Sequence, residues 1–172
     1  MSEKTYGNEN YTPSMKLSGV CDSLGVTGKK FGDGECAVRC KISESHLNAG
    51  GVAHGGLHST MLDSALGGAL VSVIKKEEWC ATAQLDISFL NAAYVGDVLV
   101  AEGKVLRRGR NLAHCDGVLS NQDGKIIATA KGTWAIWESK PSSMKYNNCD
   151  NVGKTLISYR LADLFIWHEL TH

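Results

Sequence analysis

The segment "HGGLHSTMLD", residues 54–63, combines a glycine-rich start with a single carboxylate, and this combination suggests chemistry on a carbonyl group. We predict that a helix runs from about residue 55 to residue 75. The first N–H groups of a helix have no intrahelical partner and are partly positive. At Gly55 such an N–H could polarise a carbonyl oxygen with no Cβ in the way. We expect Asp63 to lie deep in apolar surroundings, where desolvation raises the basicity of a carboxylate and suits it to act as a general base or nucleophile.

Polar residues around the helix start add to this candidate site, although each has an ordinary structural interpretation on its own. Asn48 and His54 could hold the loop or a water molecule, and Gly56 could bind substrate. A histidine at this place is more often a helix cap, a Gly-Gly pair is often a turn, and a lone helical aspartate usually faces solvent. The order of Asn48, the His-Gly-Gly triplet and Asp63 on one loop–helix unit favours the catalytic interpretation.

Strand-like runs on both sides of the helix indicate an α+β domain. Apolar and polar residues alternate in "ECAVRCKI" (35–42), which is typical of a half-buried strand, and a D-G turn precedes this run. Turn signals also separate the later runs. The predicted strands are 26–31, 35–42, 81–90, 97–108, 111–121 and 125–137. The order is therefore β-β-α-β-β-β-β, an antiparallel sheet wrapped around one long central helix.

The predicted helix is apolar almost all round, which indicates contact with more than one neighbour. Gly67 and Gly68 interrupt it, although each glycine costs about 1 kcal/mol relative to alanine in a helix. We therefore expect close packing at these two residues and a second copy of the chain covering part of the helix.

Composition excludes several classes of partner. Lys plus Arg equals Asp plus Glu at 18 each in 172 residues, which argues against a nucleic-acid partner. The polar start lacks a signal-peptide core and no run of about 18 apolar residues occurs, so we expect no membrane span and a cytoplasmic location. Six scattered cysteines without a C-x-x-C pair predict reduced, mostly buried thiols rather than a zinc site.

The chain is expected to have three segments. Residues 1–25 form an arm with a short helix near residues 15–24, residues 26–138 form the α+β domain, and residues 139–172 form a linker and a short terminal helix. The last five residues, "HELTH", match H-E-x-x-H, in which His168 and His172 could bind zinc with Glu169 as base. A catalytic zinc normally has a third protein ligand, and no residue follows the motif, so we expect no metal.

A longer stretch, "HLNAGGVAHGGLHSTMLD", with "GR" and "DGKIIATAKGTW" downstream, resembles the hotdog-fold acyl-CoA thioesterases of the phenylacetate-pathway (PaaI-like) group. The resemblance covers about residues 28–137. It implies the hotdog fold and hydrolysis of an acyl-CoA to the free acid and CoA, without a metal or redox cofactor. It also implies a homodimer with helices side by side, often paired into a homotetramer, and active sites at the dimer interface.

The resemblance also assigns roles by position. Gly55 N–H would polarise the thioester carbonyl, His54 would fix the loop, and Asn48 would orient the attacking water or the substrate. Asp63, from the other subunit, would be the general base or nucleophile. Thr82 would supply the hydroxyl that the family often has at the start of the strand after the helix.

Arg107, Arg108 and Arg110 are clustered at one predicted hairpin and could bind the CoA phosphates, or they could form a solvated turn. His58 lies one helical turn after His54 and could line the acyl pocket or face solvent.

Three other activities remain as alternatives. A non-catalytic acyl-CoA-binding hotdog protein would lack the base, but Asp63 is present. A hydratase or dehydratase would need a different arrangement of histidine and acid, and a zinc hydrolase would depend on the "HELTH" tail alone.

Overall fold

The order of helices and strands is the predicted β-β-α-β-β-β-β. The computed structural model describes Leu17 and residues 19–142. After a short helix, α1 (Val20–Ser23), come β1 (Thr27–Gly32), β2 (Glu35–Lys41), a 3-10 turn (Glu44–His46), α2 (Gly55–Val71), β3 (Trp79–Phe89), β4 (Val98–Arg108), β5 (Leu112–Ser120) and β6 (Ile126–Trp137). The chain divides into two units, residues 1–140 and 141–172. The terminal helix and "HELTH" lie outside the described residues, as does most of the arm.

The six strands form one antiparallel sheet in the spatial order β1-β2-β4-β5-β6-β3. Helix α2 packs mainly on the middle of this sheet, against β4, β2 and β5. Strands β1 and β3 are the two edges. The α+β architecture, with a sheet around one central helix, is therefore confirmed.

Helix α2 ends at Val71, four residues before the predicted end, because Ser72 ties its last turn to the sheet. The Ser72 hydroxyl donates to the carbonyl of Ala69 at 2.7 Å and accepts from Gly34 N–H at 2.9 Å. Gly34 lies in the β1–β2 turn, so this buried serine fixes the C-terminal end of α2.

Glycines in the sheet let the helix backbone come very close to the strands. A Cβ on Gly103 would lie 2.4 Å from the carbonyl oxygen of Ala65 in α2. Its cross-strand partner is Gly117, where a Cβ would lie 2.2 Å from Leu66 Cδ1. Since no side chain separates α2 from β4 at this point, the contact fixes the depth at which α2 is seated.

Gly67 and Gly68 differ from each other in what they touch. A Cβ on Gly68 would lie 2.6 Å from Cys36 Sγ in β2, whereas one on Gly67 would meet nothing closer than Trp134 Nε1 at 3.5 Å. The close packing expected at this pair is therefore found at Gly68, where the chain's own sheet provides it.

The core explains why the helix reads as apolar on most sides. Met61, Leu62, Ala65 and Leu66 are fully buried, and the fully buried residues Leu99 and Ile127 come from the sheet. Because much of the helix surface is buried within the chain itself, the apolar pattern of the helix alone cannot show which side stays open.

We expect Gly103→Ala to lower the free energy of unfolding by about 2 kcal/mol or more, because a methyl group would overlap the helix backbone. Gly67→Ala is the matched control. It should be neutral or stabilising by up to about 1 kcal/mol, because it meets only ordinary contacts and raises helix propensity. Thermal or urea unfolding of both variants checks this. Equal stability of the two variants would contradict the close approach of α2 to β4.

Candidate active site

The start of α2 is held by the His54 cap, which leaves one backbone donor open. His54 Nδ1 accepts from Gly56 N–H at 2.8 Å, and His54 N–H donates to the carbonyl of His46 at 2.8 Å. Among the described residues, no acceptor pairs with Gly55 N–H. This N–H therefore carries the positive end of the helix dipole and is available to a carbonyl oxygen.

Gly56 takes part in the His54 cap. Its N–H is occupied by His54, and a Cβ on Gly56 would lie 2.8 Å from His54 Nδ1. That Gly56 binds substrate stays a prediction, and its N–H is engaged by the cap.

Asn48 shapes the glycine-rich loop that leads into the helix. Its Oδ1 accepts from Gly50 N–H at 2.8 Å and from Val52 N–H at 3.4 Å, and its backbone N–H donates to the carbonyl of Val52. The side chain is exposed. The side-chain oxygen of Asn48 therefore accepts hydrogen bonds within the loop, and its amide NH₂ group could donate to water or substrate.

Asp63 lies beside the edge strand and is hydrogen-bonded to it. Thr82 Oγ1 in β3 donates to Asp63 Oδ1 at 2.8 Å. The register of β3 and β6 shifts between Thr82 and Gln84, so a bulge sits next to this threonine. Asp63 is half-buried, not deeply buried as predicted, because the sheet ends at β3 on this side of the helix.

Gly55 and Asp63 are well separated within one chain. Asp63 follows Gly55 by eight positions on the helix, which corresponds to a rise of about 12 Å along the axis. A donor and a base acting on one thioester must lie within about one hydrogen bond of the same carbonyl group. This spacing along the helix favours a site in which the two groups come from different copies of the chain.

Phe89 and His58 lie beside Gly55, and Phe89 was not among the site residues predicted from the sequence. A Cβ on Gly55 would lie 3.2 Å from Phe89 Cε1, so the Phe89 ring fills the space over the glycine. The ring centroid of Phe89 is 6.0 Å from that of His58. Phe89 stays 55% exposed. In the sequence, only the position of Phe89 at the end of a strand pointed to this contact. Gly55 lies 34 residues earlier, and no local pattern shows that two such distant residues touch.

His58 is buried, so the solvent-facing alternative for it is wrong. His58 is 4% exposed, and neither ring nitrogen has a hydrogen-bond partner among the described residues. Burial, and then the charge of His54, lower the pKa of His58. The ring is therefore neutral at pH 7, with one N–H donor and one nitrogen acceptor.

The arginine cluster lies at the β4–β5 hairpin, which Gly109 N–H closes by donating to the carbonyl of Leu112 at 2.8 Å. Arg108 forms an ion pair with Glu78, and Arg110 lies 3.5 Å from the carboxylate of Glu138 with both side chains exposed. Arg107 is exposed and has no ion-pair partner among the described residues.

The β4–β5 hairpin lies at the same end of the sheet as Thr82. Cross-strand pairs connect Thr82 to Trp134, Trp134 to Ala113, and Ala113 to Arg108. Thr82 and Arg108, at the two ends of this row, are separated by three strand spacings, which is about 14 Å.

The described cysteines are reduced and poorly suited to nucleophilic attack. No disulfide joins the five that lie in the described part of the chain, and four of them are buried. Burial raises the pKa of Cys36 and of Cys115 to about 12, so both stay protonated thiols.

Within residues 19–142 and Leu17, no group of three or more His, Cys, Asp and Glu side chains is placed to hold a metal ion. In the same part of the chain, no helix is long and apolar enough to cross a membrane.

Comparison with known sequences shows similarity to esterases and thioesterases. Residues 50–128 match the thioesterase superfamily. A Pseudomonas aeruginosa protein named "Putative esterase" is 31% identical over 129 residues, which cover 74% of this chain and 96% of that protein. Human acyl-coenzyme A thioesterase 13 is 31% identical over 101 residues, which cover 58% of this chain and 71% of the human protein.

Solved structures agree with this. A hypothetical thioesterase of Streptococcus pneumoniae, solved with coenzyme A, is 29% identical with a TM-score of 0.61, and the match covers 67% of this chain and 91% of the other. The PaaI protein of the E. coli phenylacetic acid degradation operon shares the fold, with a TM-score of 0.63 at 24% identity over 67% of this chain and 81% of that protein.

Proposed function

The chain belongs to the thioesterase superfamily and is a thioester hydrolase with the hotdog fold, and from this premise we propose that it hydrolyses acyl-CoA in sites shared by two copies of the chain. The acyl-CoA substrate is supported by the human relative named an acyl-CoA thioesterase and by the similar thioesterase solved with coenzyme A. The single observation that carries the two-copy arrangement is the separation of Gly55 from Asp63 along one helix.

The reaction needs a polarised carbonyl and an activated water. Gly55 N–H would donate to the thioester oxygen and hold the negative charge that develops there. Asp63 would take a proton from water while the water oxygen bonds to the carbonyl carbon. The tetrahedral intermediate would then release CoA as a thiolate, which takes up a proton, and leave the free acid. Direct attack by Asp63 as nucleophile would use the same placement and pass through an anhydride.

Thr82 would act by positioning the base. Its hydroxyl donates to one oxygen of Asp63, which leaves the other carboxylate oxygen for water. Two further structures of the S. pneumoniae thioesterase carry an alanine in place of an aspartate and of a threonine, the same two residue types.

The edge strand offers a way to bring two half-sites together. Strand β3 has eleven residues and, within the part of the chain that the structure describes, pairs only with β6, so its other edge offers N–H and C=O groups to a partner strand. Two copies related by a two-fold axis near the middle of β3 would pair antiparallel. The Thr82 end of one strand would then lie towards the Phe89 end of the other, and Asp63 of one copy would approach Gly55 of the second.

The arginine hairpin would bind the CoA end of the substrate. Phosphates attract guanidinium groups, and Arg107 is the cluster member without an ion-pair partner in the described part of the chain. Arg108 would first have to give up its bond to Glu78. Arg107 is therefore the main candidate, ahead of the other two.

We expect Asp63→Asn to lower kcat by about 10²- to 10⁴-fold, as for loss of a general base. KM and folding should change little, because a neutral amide is easier to bury than a carboxylate. Thr82→Val, which keeps the side-chain shape, should lower kcat by less than Asp63→Asn. Kinetics with an acyl-CoA panel check this. Activity of Asp63→Asn within threefold of the parent would show that Asp63 is not the base.

Arg107→Ala should raise KM for acyl-CoA with kcat nearly unchanged, because a phosphate contact is made equally in the ground and transition states. Lys125→Ala, which removes an exposed charge from the turn before β6, is the matched control and should leave KM unchanged. An unchanged KM in the Ala variants of all three arginines would favour a solvated turn.

The protein should be at least a homodimer at micromolar concentration. Sedimentation or light scattering should give a mass of twice the 18.5 kDa chain or more. A single-chain mass in an active sample would exclude the shared site.

A further inference from the structure

His58 is a buried polar side chain that the mechanism above does not use. It sits three residues after Gly55 on α2, in the apolar core, and neither ring nitrogen has a hydrogen-bond partner among the described residues. Buried polar groups are nearly always paired, so an unpaired ring at 4% exposure calls for a ligand or a water.

The ring lies at the level of the proposed carbonyl site. Three residues correspond to a rise of about 4.5 Å, and helical side chains lean towards the N-terminus, which brings the His58 ring back towards Gly55. The Phe89 ring confirms this closeness, because it contacts the open side of Gly55 and lies 6.0 Å from His58. One aromatic ring therefore lies close to both Gly55 and the unpaired histidine.

The part of a substrate that can reach His58 is the acyl group close to its carbonyl. Coenzyme A is large and charged, so it stays at the surface, whereas a core position admits only small and mostly apolar groups. With Gly55 N–H on the carbonyl oxygen, the first two or three acyl carbons would lie nearest the histidine ring.

A hydroxyl matches the hydrogen-bonding groups of this ring. The lowered pKa of His58, caused by burial and then by His54, keeps the imidazole neutral with one donor and one acceptor. A hydroxyl can also donate and accept. A carboxylate only accepts, and burying it would leave its charge unpaired.

We propose that His58 is a specificity-determining residue that hydrogen-bonds a hydroxyl near the thioester carbonyl, so that 3-hydroxyacyl-CoA thioesters are preferred over unsubstituted ones. This rests on the proposed acyl-CoA hydrolysis at Gly55 and Asp63. Phe89, which is 55% exposed, would turn aside to admit the acyl group.

Three six-carbon substrates test the proposal: hexanoyl-CoA, 3-hydroxyhexanoyl-CoA and 6-hydroxyhexanoyl-CoA. The parent protein should prefer the 3-hydroxy compound over hexanoyl-CoA by about tenfold or more in kcat/KM, since a site built for a hydroxyl discriminates against its absence. The 6-hydroxy compound should gain no such preference, because its hydroxyl lies out of reach.

Two variants identify the residue responsible. His58→Leu keeps an apolar helix former at the site and should abolish the 3-hydroxy preference while hexanoyl-CoA is still hydrolysed. His58→Gln keeps a donor and an acceptor and should retain part of the preference, which provides a second reading if the leucine variant does not fold.

The outcomes separate this proposal from the one on which it rests. Hydrolysis of hexanoyl-CoA without a 3-hydroxy preference in the parent, or an unchanged preference in His58→Leu, would overturn the role of His58 alone. An equal loss of activity on all three substrates with a lower Tm would show that His58 is structural and overturn it as well. Failure of the parent to hydrolyse any acyl-CoA in a broad panel would overturn the proposed function itself.

Discussion

The position of α2 depends on a contact between two backbones. Gly103 in the middle of the sheet lies directly under Ala65, and no side chain separates them. Gly117 next to it makes room for Leu66, and Gly68 makes room for Cys36 on the other side. Because close-packed interiors deform little, this seating determines where both ends of the helix lie relative to the sheet.

The candidate site follows from that seating. The start of α2 reaches the Phe89 end of β3, and Asp63 reaches Thr82 near its other end. One helix and one edge strand therefore carry an open backbone donor and a hydrogen-bonded carboxylate about two helical turns apart. A symmetric pairing of two such units would bring the proposed donor and the proposed base together twice, so that dimer formation would have a chemical role.

The sequence predicted this fold well because its signals are local. The alternation from residue 35 to 42 and the turns between later strands gave the strand order, and Thr82 came from the resemblance to a known family. The depth of Asp63 was not predictable, since a helix that is apolar almost all round does not show where its sheet ends. The contact of Phe89 with Gly55 and the unpaired ring of His58 depend on packing between distant segments.

Complementation between two inactive variants tests the shared site most directly. Asp63→Asn removes the proposed base. Gly55→Pro removes the N–H at the first position of α2, where proline is tolerated, and the preceding His54 already has an extended backbone. Each variant alone should be nearly inactive. In randomly mixed dimers, half of the molecules would be hybrids with one intact site, so activity should recover to about a quarter of the parent value. A mixture no more active than its components would contradict a site built from two copies.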